Sequence, residues 1–325
     1  MSGARMKGRV RVAVARVRGL LMTLVALVTV AAAGACAQGD EPPRIVVTTN
    51  ILGDITRRIV GSEAEVTVLM RPGADPHSFG LSAVQAAELE RADLVVFNGL
   101  GLEENVLRHV TAAREGGVAT FEVGRSVDPL RYRAGDDGGP RGEAGTPDPH
   151  FWTDPDRVRT ATRLIAEQVV ERVDGVDGTA IRANAARYDR DLAALADWMT
   201  DSFDRIPEDR RALVTNHHVF GYLADRFGFR VIGAVVPSGT TLASPSSADL
   251  RSLTRAMEDA GVRTVFADSS RPTRLAEVLR AELGGGVRVI ELHSESLTAE
   301  GAGADTYLRM MRANTTAMTD GLTGD

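Results

Sequence analysis

The sequence predicts an α/β protein of two lobes, each a mainly parallel sheet with helices on both faces, joined by one long helix. Three observations lead there. Short continuous apolar runs such as "RIVV" and "DLVVF" alternate with longer runs at helical spacing, the pattern of strands buried on both sides. That alternation occurs twice, once before and once after a proline-free helical stretch longer than a single lobe needs. The roughly 290 residues that follow the N-terminal leader also exceed what one core usually holds, so two domains are expected.

The first lobe, residues 44–177, runs in order through "RIVVTTNI" (strand), "LGDITRRIVG" (helix), "AEVTVLM" (strand), "SAVQAAELERA" (helix), "DLVVFNGL" (strand), "EENVLRHVTAA" (helix) and "VATFEV" (strand). Residues 124–147 then lose the pattern. Their "RAGDDGGPRGEAGTP" is rich in Gly, Asp and Pro and reads as a mobile surface loop with no core of its own. A helix follows from near Asp154, where "TDPD" supplies a capping side chain and an early proline. The stretch 178–206, with apolar residues three and four apart, spans about 40 Å at 1.5 Å per residue and is expected to connect the lobes.

The second lobe, residues 207–325, restarts the alternation: "RALVTNH", "GYLADRFG", "RVIGAVV", "SADLRSLTRAMEDAG", "VRTVFAD", "RLAEVLRAELG", "VRVIEL" and a last helix from Asp305 to about Thr319. It mirrors the first lobe in pattern without a residue-level repeat.

The leader is set apart from the fold. Residues 1–35 open with Arg5, Lys7, Arg9, Arg11, Arg16 and Arg18, contain no acid, and continue into the apolar run "GLLMTLVALVTVAAA". That run is shorter than the ~20 residues a spanning helix needs, and it is expected to be an export signal. The only cysteine, Cys36, follows in "AAGAC", which resembles the lipobox of bacterial lipoproteins with Ala33 where Leu is usual; a lipid anchor on Cys36 is expected, with simple cleavage as the alternative. A lone cysteine excludes an internal disulfide.

Of the 38 basic residues, 32 lie beyond the leader against all 44 acids, a formal charge of −12. An acidic exported chain is a poor partner for nucleic acid. Lys7 is the only lysine, so neither Schiff-base chemistry nor a lysine-dependent phosphate loop is available beyond the leader.

Six histidines carry the remaining signal. His77 and His150 share an Asp-Pro-His setting, "ADPHSF" and "PDPHFW". Proline fixes φ and removes a backbone donor, so each imidazole projects from a stiff turn, and the restricted Asp75 and Asp148 are placed to orient the rings from behind. His217 ends the strand "RALVTNH" and Glu295 sits three residues past the strand "VRVIEL"; ligands of open α/β sheets gather beyond such carboxyl ends. His109 sits at helical spacing and reads as a surface histidine. Three imidazoles and one carboxylate suit tetrahedral Zn²⁺ and admit Mn²⁺ if the carboxylate binds through both oxygens. Four protein ligands leave no open position for an activated water, which favours holding a metal over using it.

Five segments in order, "LMRPGADPHSFGLSAVQAAELERADLVVFNGLGLEENV", "PDPHFWTDPDRV", "TNHHVFGYLADRFG", "VFADSS" and "SESLTAEGAGADTYLRMMRAN", resemble the zinc- and manganese-binding solute-binding proteins of bacterial ABC importers over nearly the whole chain beyond the leader. The resemblance implies His77 and His150 as ligands from the first lobe. It implies His217 rather than His218 as the third, because Phe220 stands three positions after His217 as an aromatic does in the family pattern. The fourth position carries Glu295 where relatives commonly have Asp, with His293 two residues earlier as the alternative donor. The loop before His150 lacks the histidine tract of many zinc-specific relatives, and Asp136, Asp137 and Glu143 there read as a solvated face that attracts cations only weakly. The implied function is capture of Zn²⁺, with Mn²⁺ as the alternative, in an inter-lobe cleft and delivery to a membrane ABC permease. The implied connecting helix is rigid, so release would use small lobe shifts and mobile ligand loops. A monomer is expected.

Two other classes stay open at this level. An exported zinc hydrolase would use Glu295 as general base on a metal-bound water, although no His-Glu-x-x-His run is present. A surface adhesin on the same fold would need only the lipid anchor for display.

Overall fold

A computed structural model describes residues 41–133, 143–270 and 286–324. The export signal, Cys36, Asp136, Asp137 and the helix expected over "RLAEVLRAELG" lie outside the described residues. The described residues from Pro43 onward form one compact unit.

The first sheet is built from β1 (Arg44–Val47), β2 (Glu65–Val68), β3 (Leu94–Phe97) and β4 (Ala119–Glu122), all parallel in the order β2-β1-β3-β4. Between them run α1 (Asn50–Val60), α2 (Ala83–Glu90) and α3 (Glu104–Glu115), and a short α4 (Val123–Ser126) follows. Two further helices, α5 (Pro155–Arg172) and α6 (Gly178–Phe203), precede the second sheet. That sheet comprises β5 (Ala212–Thr215), β6 (Arg230–Ala234), β7 (Thr264–Asp268) and β8 (Arg288–Leu292), again parallel, in the order β6-β5-β7-β8. The helices α7 (Gly221–Phe227), α8 (Ser247–Ala260) and α9 (Tyr307–Thr323) complete the described elements. Both sheets therefore visit their strands in the same spatial order, as the repeated sequence pattern suggests.

Strand alternation explains why each sheet is covered twice. In β1, Ile45 and Val47 face one core while Val46 faces another with Leu69, Val95 and Phe97, closed by Leu89, Val106 and Val110 from α2 and α3. In the second sheet Val214, Val265 and Ala267 pack with Leu253 and Met257 of α8, while Leu213 and Phe266 face the opposite side.

The inner faces of both sheets belong to a single apolar cluster. Ile45, Val47 and Val96 of one sheet and Leu213, Phe266 and Leu292 of the other join it through Ile181, Tyr188, Leu192, Leu195, Met199 and Phe203 of α6. With Ala185 these α6 residues recur three and four apart, one buried stripe along the helix. The lobes thus share a core rather than merely a linker.

Asp177 caps α6 by accepting the Thr179 N–H, and the helix ends at Phe203, three residues short of the expected boundary. The physical reason is Pro207, which disfavours helix at Ile206; that side chain still packs into the core beyond the helix end.

The flanks of the 124–147 segment are better anchored than their composition suggests. Val127 is buried, the Leu130 N–H donates to the Tyr222 hydroxyl, and Arg131 bridges Pro147 in antiparallel register. A few apolar and aromatic residues, Val127, Leu130 and Tyr132, tie the described parts down in a stretch dominated by loop formers.

Candidate metal centre

Each Asp-Pro-His triplet forms the stiff turn its sequence requires. Asp75 Oδ1 accepts the His77 N–H at 2.9 Å, and Asp148 Oδ1 accepts the His150 N–H at 2.9 Å. The second triplet goes further: His150 Nδ1 lies 2.8 Å from the same Asp148 oxygen. Donation of Nδ1–H to Asp148 leaves the lone pair on Nε2, the atom that faces inward. Burial alone would depress the His150 pKa, but the negative charges of Glu295 and Asp148 outweigh it and the net direction is upward.

His217 lies two residues beyond the end of β5, and Glu295 three beyond β8. The structure brings His77, His150, His217 and Glu295 together, with one ligand atom from each inside a 4.8 Å group. Their exposures are 2%, 0%, 0% and 1%. The three ring centroids are each 5.4 Å apart, so the imidazoles stand at the corners of an equilateral triangle. His77 Nε2 and His150 Nε2 are 3.3 Å apart; Glu295 oxygens lie 3.2 Å from His217 Nε2, 3.7 Å from His150 Nε2 and 3.8 Å from His77 Nε2. An ion held tetrahedrally by nitrogens at 2.0–2.1 Å needs ligand atoms about 3.3–3.4 Å apart, close to this spacing.

The burial of this donor set has an energetic consequence. Both Glu295 oxygens and both His217 ring nitrogens are buried without a hydrogen-bond partner. An unsatisfied buried carboxylate costs several kcal/mol, and a divalent ion would offset that cost directly.

The other candidates take different places. His293 turns its Nδ1 to the Ser269 hydroxyl at 2.9 Å and is outside the converging group. His218 is buried beside the group, lining a cavity of about 540 Å³ with Asp148, Phe220 and Phe229; burial, then the neighbouring His217 and His150, lower its pKa to about 3, so it is neutral. His109 lies on α3 next to Arg108. Glu143 is no solvated acid: it accepts the Ser238 hydroxyl at 2.6 Å.

Several supporting residues escape a reading of local motifs. Asp268, at the end of β7, accepts the N–H groups of Ser294 and Glu295 at 3.0 and 3.1 Å and fixes the turn that presents the carboxylate. Asn50 donates to Ser296 Oγ at 2.7 Å and accepts the Leu297 N–H, tying this turn to the first lobe. Asn98 holds the Pro149 carbonyl at 3.0 Å, and the Trp152 indole donates to the Ser294 carbonyl at 2.8 Å. Asn50 and Asn98 follow β1 and β3, neighbours at the first sheet's switch point; His217 and Asp268 occupy the same places after β5 and at the end of β7. Polar residues just past two adjacent strands are the one sequence signal that finds them.

Residues 45–321 match the family described as zinc-uptake complex component A, periplasmic (ZnuA). The chain belongs to this family, metal-binding solute-binding proteins of ABC metal importers. The manganese-binding lipoprotein MntA of Halalkalibacterium halodurans is 28% identical over 287 residues, covering 88% of this chain and 90% of that protein. The zinc-binding protein TroA of Treponema pallidum is also 28% identical, over 283 residues, 86% of this chain and 88% of its own. A solved structure of the periplasmic zinc-binding TroA superposes with a TM-score of 0.77 at 25% identity, covering 86% of this chain and 99% of that one. The two-lobed α/β fold of this chain, with its two parallel four-stranded sheets, thus matches that of TroA.

Proposed function

We propose that this protein captures Zn²⁺ outside the cytoplasm and delivers it to the membrane permease of an ABC importer, with His77, His150, His217 and Glu295 as the ligands. The observation that carries the reading is the buried convergence of three imidazoles and one carboxylate drawn from both lobes. Three nitrogen donors favour zinc over manganese in the Irving–Williams order, and the ligand spacing suits a small tetrahedral ion. Relatives are named for both metals, so the ion itself is what an experiment must decide. Mn²⁺ would need Glu295 to bind through both oxygens.

Capture rather than catalysis follows from Glu295. A general base stands aside from the ion and faces a water, whereas this carboxylate lies 3.2 Å from His217 Nε2, inside the group. Export and a lipid anchor on Cys36 complete the reading; relatives are lipoproteins, and among the described residues no helix is long and apolar enough to cross a membrane.

Competition calorimetry tests the assignment. Zn²⁺ is expected to bind at least about tenfold more tightly than Mn²⁺ at equal pH, and the reverse order would sink the zinc assignment. His217→Ala is expected to lower Zn²⁺ affinity by orders of magnitude, while His218→Ala retains it. Equal losses in the two variants would mean that the third ligand is misassigned.

A further inference from the structure

Residues 236–241, which follow β6, run as a strap from the second lobe to the first, and its contacts reach a residue beside each histidine ligand. The Ser238 carbonyl accepts the N–H of His218, the neighbour of His217, at 3.0 Å. Thr241 Oγ1 donates to Asp75 Oδ2 at 2.7 Å, and the other oxygen of Asp75 holds the His77 N–H. Gly239 packs against the Tyr132 hydroxyl so closely that any Cβ there would collide with it; that hydroxyl lies 3.3 Å from His150 Nδ1.

A second side chain of the opposite lobe, besides Asp75, fastens this strap. The Glu143 carboxylate accepts the Ser238 hydroxyl at 2.6 Å and the Gly239 N–H at 3.1 Å. Its own backbone is fixed in turn, because the Glu143 carbonyl accepts both the N–H and the hydroxyl of Thr146 at 2.9 and 2.7 Å. Glu295 is held separately, by Asp268 and Asn50 through its neighbours in the chain. The strap therefore contacts a residue beside each of the three imidazoles, while Glu295 is held from elsewhere.

We propose that Glu143 is a cross-lobe positioning residue that pins the 236–241 strap and thereby sets how slowly metal leaves the centre. This rests on the metal-centre reading above. With the ligands almost fully buried, an ion leaves only when something over it moves, and the strap is the element that touches all three histidine supports. Loss of the Glu143 bonds loosens it without removing a ligand.

Stopped-flow transfer of Zn²⁺ from the full-length protein to an excess of a chromogenic chelator reads the release rate. Glu143→Ala and Ser238→Ala remove the same contact from opposite sides, so either serves if the other fails to fold. Each is expected to speed release by about tenfold, the scale of a charge-assisted hydrogen bond. The double variant should be no faster than the faster single one, because the two residues act as a pair. The visible absorption spectrum of the Co²⁺-loaded variants should match wild type, which a distorted or lost ligand would not allow. Release within about twofold of wild type, independent effects that multiply in the double variant, or an altered Co²⁺ spectrum would each overturn the proposal. Wild-type protein that takes up neither Zn²⁺ nor Co²⁺ would instead overturn the metal-centre reading on which the strap depends.

Discussion

Asp148 and Asp75 occupy equivalent places in the two triplets, and each is tied to more than its own histidine backbone. Asp148 spends one oxygen on both the backbone and the ring of His150, whereas Asp75 also takes the Thr241 hydroxyl from the other lobe. Asp148→Asn would weaken the acceptor that holds the His150 tautomer, and metal affinity should fall about 10–100-fold with the fold intact. Calorimetry beside a circular dichroism spectrum checks this; wild-type affinity would mean that the tautomer is fixed without Asp148. The triplets are legible in the sequence because proline acts on its own neighbours. Asn50, Asn98 and Asp268 are not, since the partner of Asn98 lies 51 residues away and that of Asn50 246 residues away. Only the fold makes them adjacent. Glu103 is a further residue of this kind: it accepts from Thr48 at 2.7 Å and from the N–H groups of Asn98 and Gly99, and burial nevertheless pushes its carboxyl above the usual carboxylate range. A pKa raised on folding contributes stability that is full below the unfolded value and lost as pH rises through the folded one. Wild type should therefore gain stability relative to Glu103→Gln as pH falls toward the ordinary glutamate range. A pH-independent difference in denaturant midpoints would show that Glu103 takes up no proton there.

At the scale of elements, continuous apolar runs and helical spacing identify the described strands and most of the described helices, because burial on both faces and on one face leave different spacings in the sequence. Boundaries are less legible. Pro207 ends α6 early through backbone sterics, and Val127, Leu130 and Tyr132 anchor a stretch whose composition argues for a loop. Close approach between elements is hidden as well. Gly53 in α1 passes β2 so tightly that an added methyl would lie 2.4 Å from Val68 Cγ2. Gly53→Ala sets a helix-propensity gain of about 1 kcal/mol against an overpacking cost of about 1–3 kcal/mol. Val68 is β-branched and stiff in its strand, so the cost wins and a net loss of about 1 kcal/mol is expected in urea unfolding. A stabilised variant would show that α1 can shift away from the sheet.

Across the whole molecule, the shared core decides how metal and fold are coupled. Residues of both sheets and of α6 belong to one apolar cluster, so the lobes do not need an ion to hold them together. Metal binding should then add stability by mass action without creating the fold. At free Zn²⁺ about 100 times Kd the gain is about 2.7 kcal/mol, seen as a higher Tm in a thermal scan. Treatment with a chelator should return the Tm to the metal-free value while leaving the far-ultraviolet dichroism unchanged. His77→Ala should start near that metal-free Tm, because the removed ring belongs to the centre and not to the core, and it should respond far less to Zn²⁺. Unfolding on chelation would contradict this view and assign the metal a structural role. The same core limits release, since swinging the lobes apart would expose the α6 stripe from Ile181 to Phe203 at roughly 25 cal/mol per Å² of apolar surface. Local movement over the site, rather than a wide hinge, is the cheaper route out. Small-angle scattering should accordingly give nearly the same radius of gyration with and without Zn²⁺, and a clear expansion on metal removal would show that the shared core opens after all.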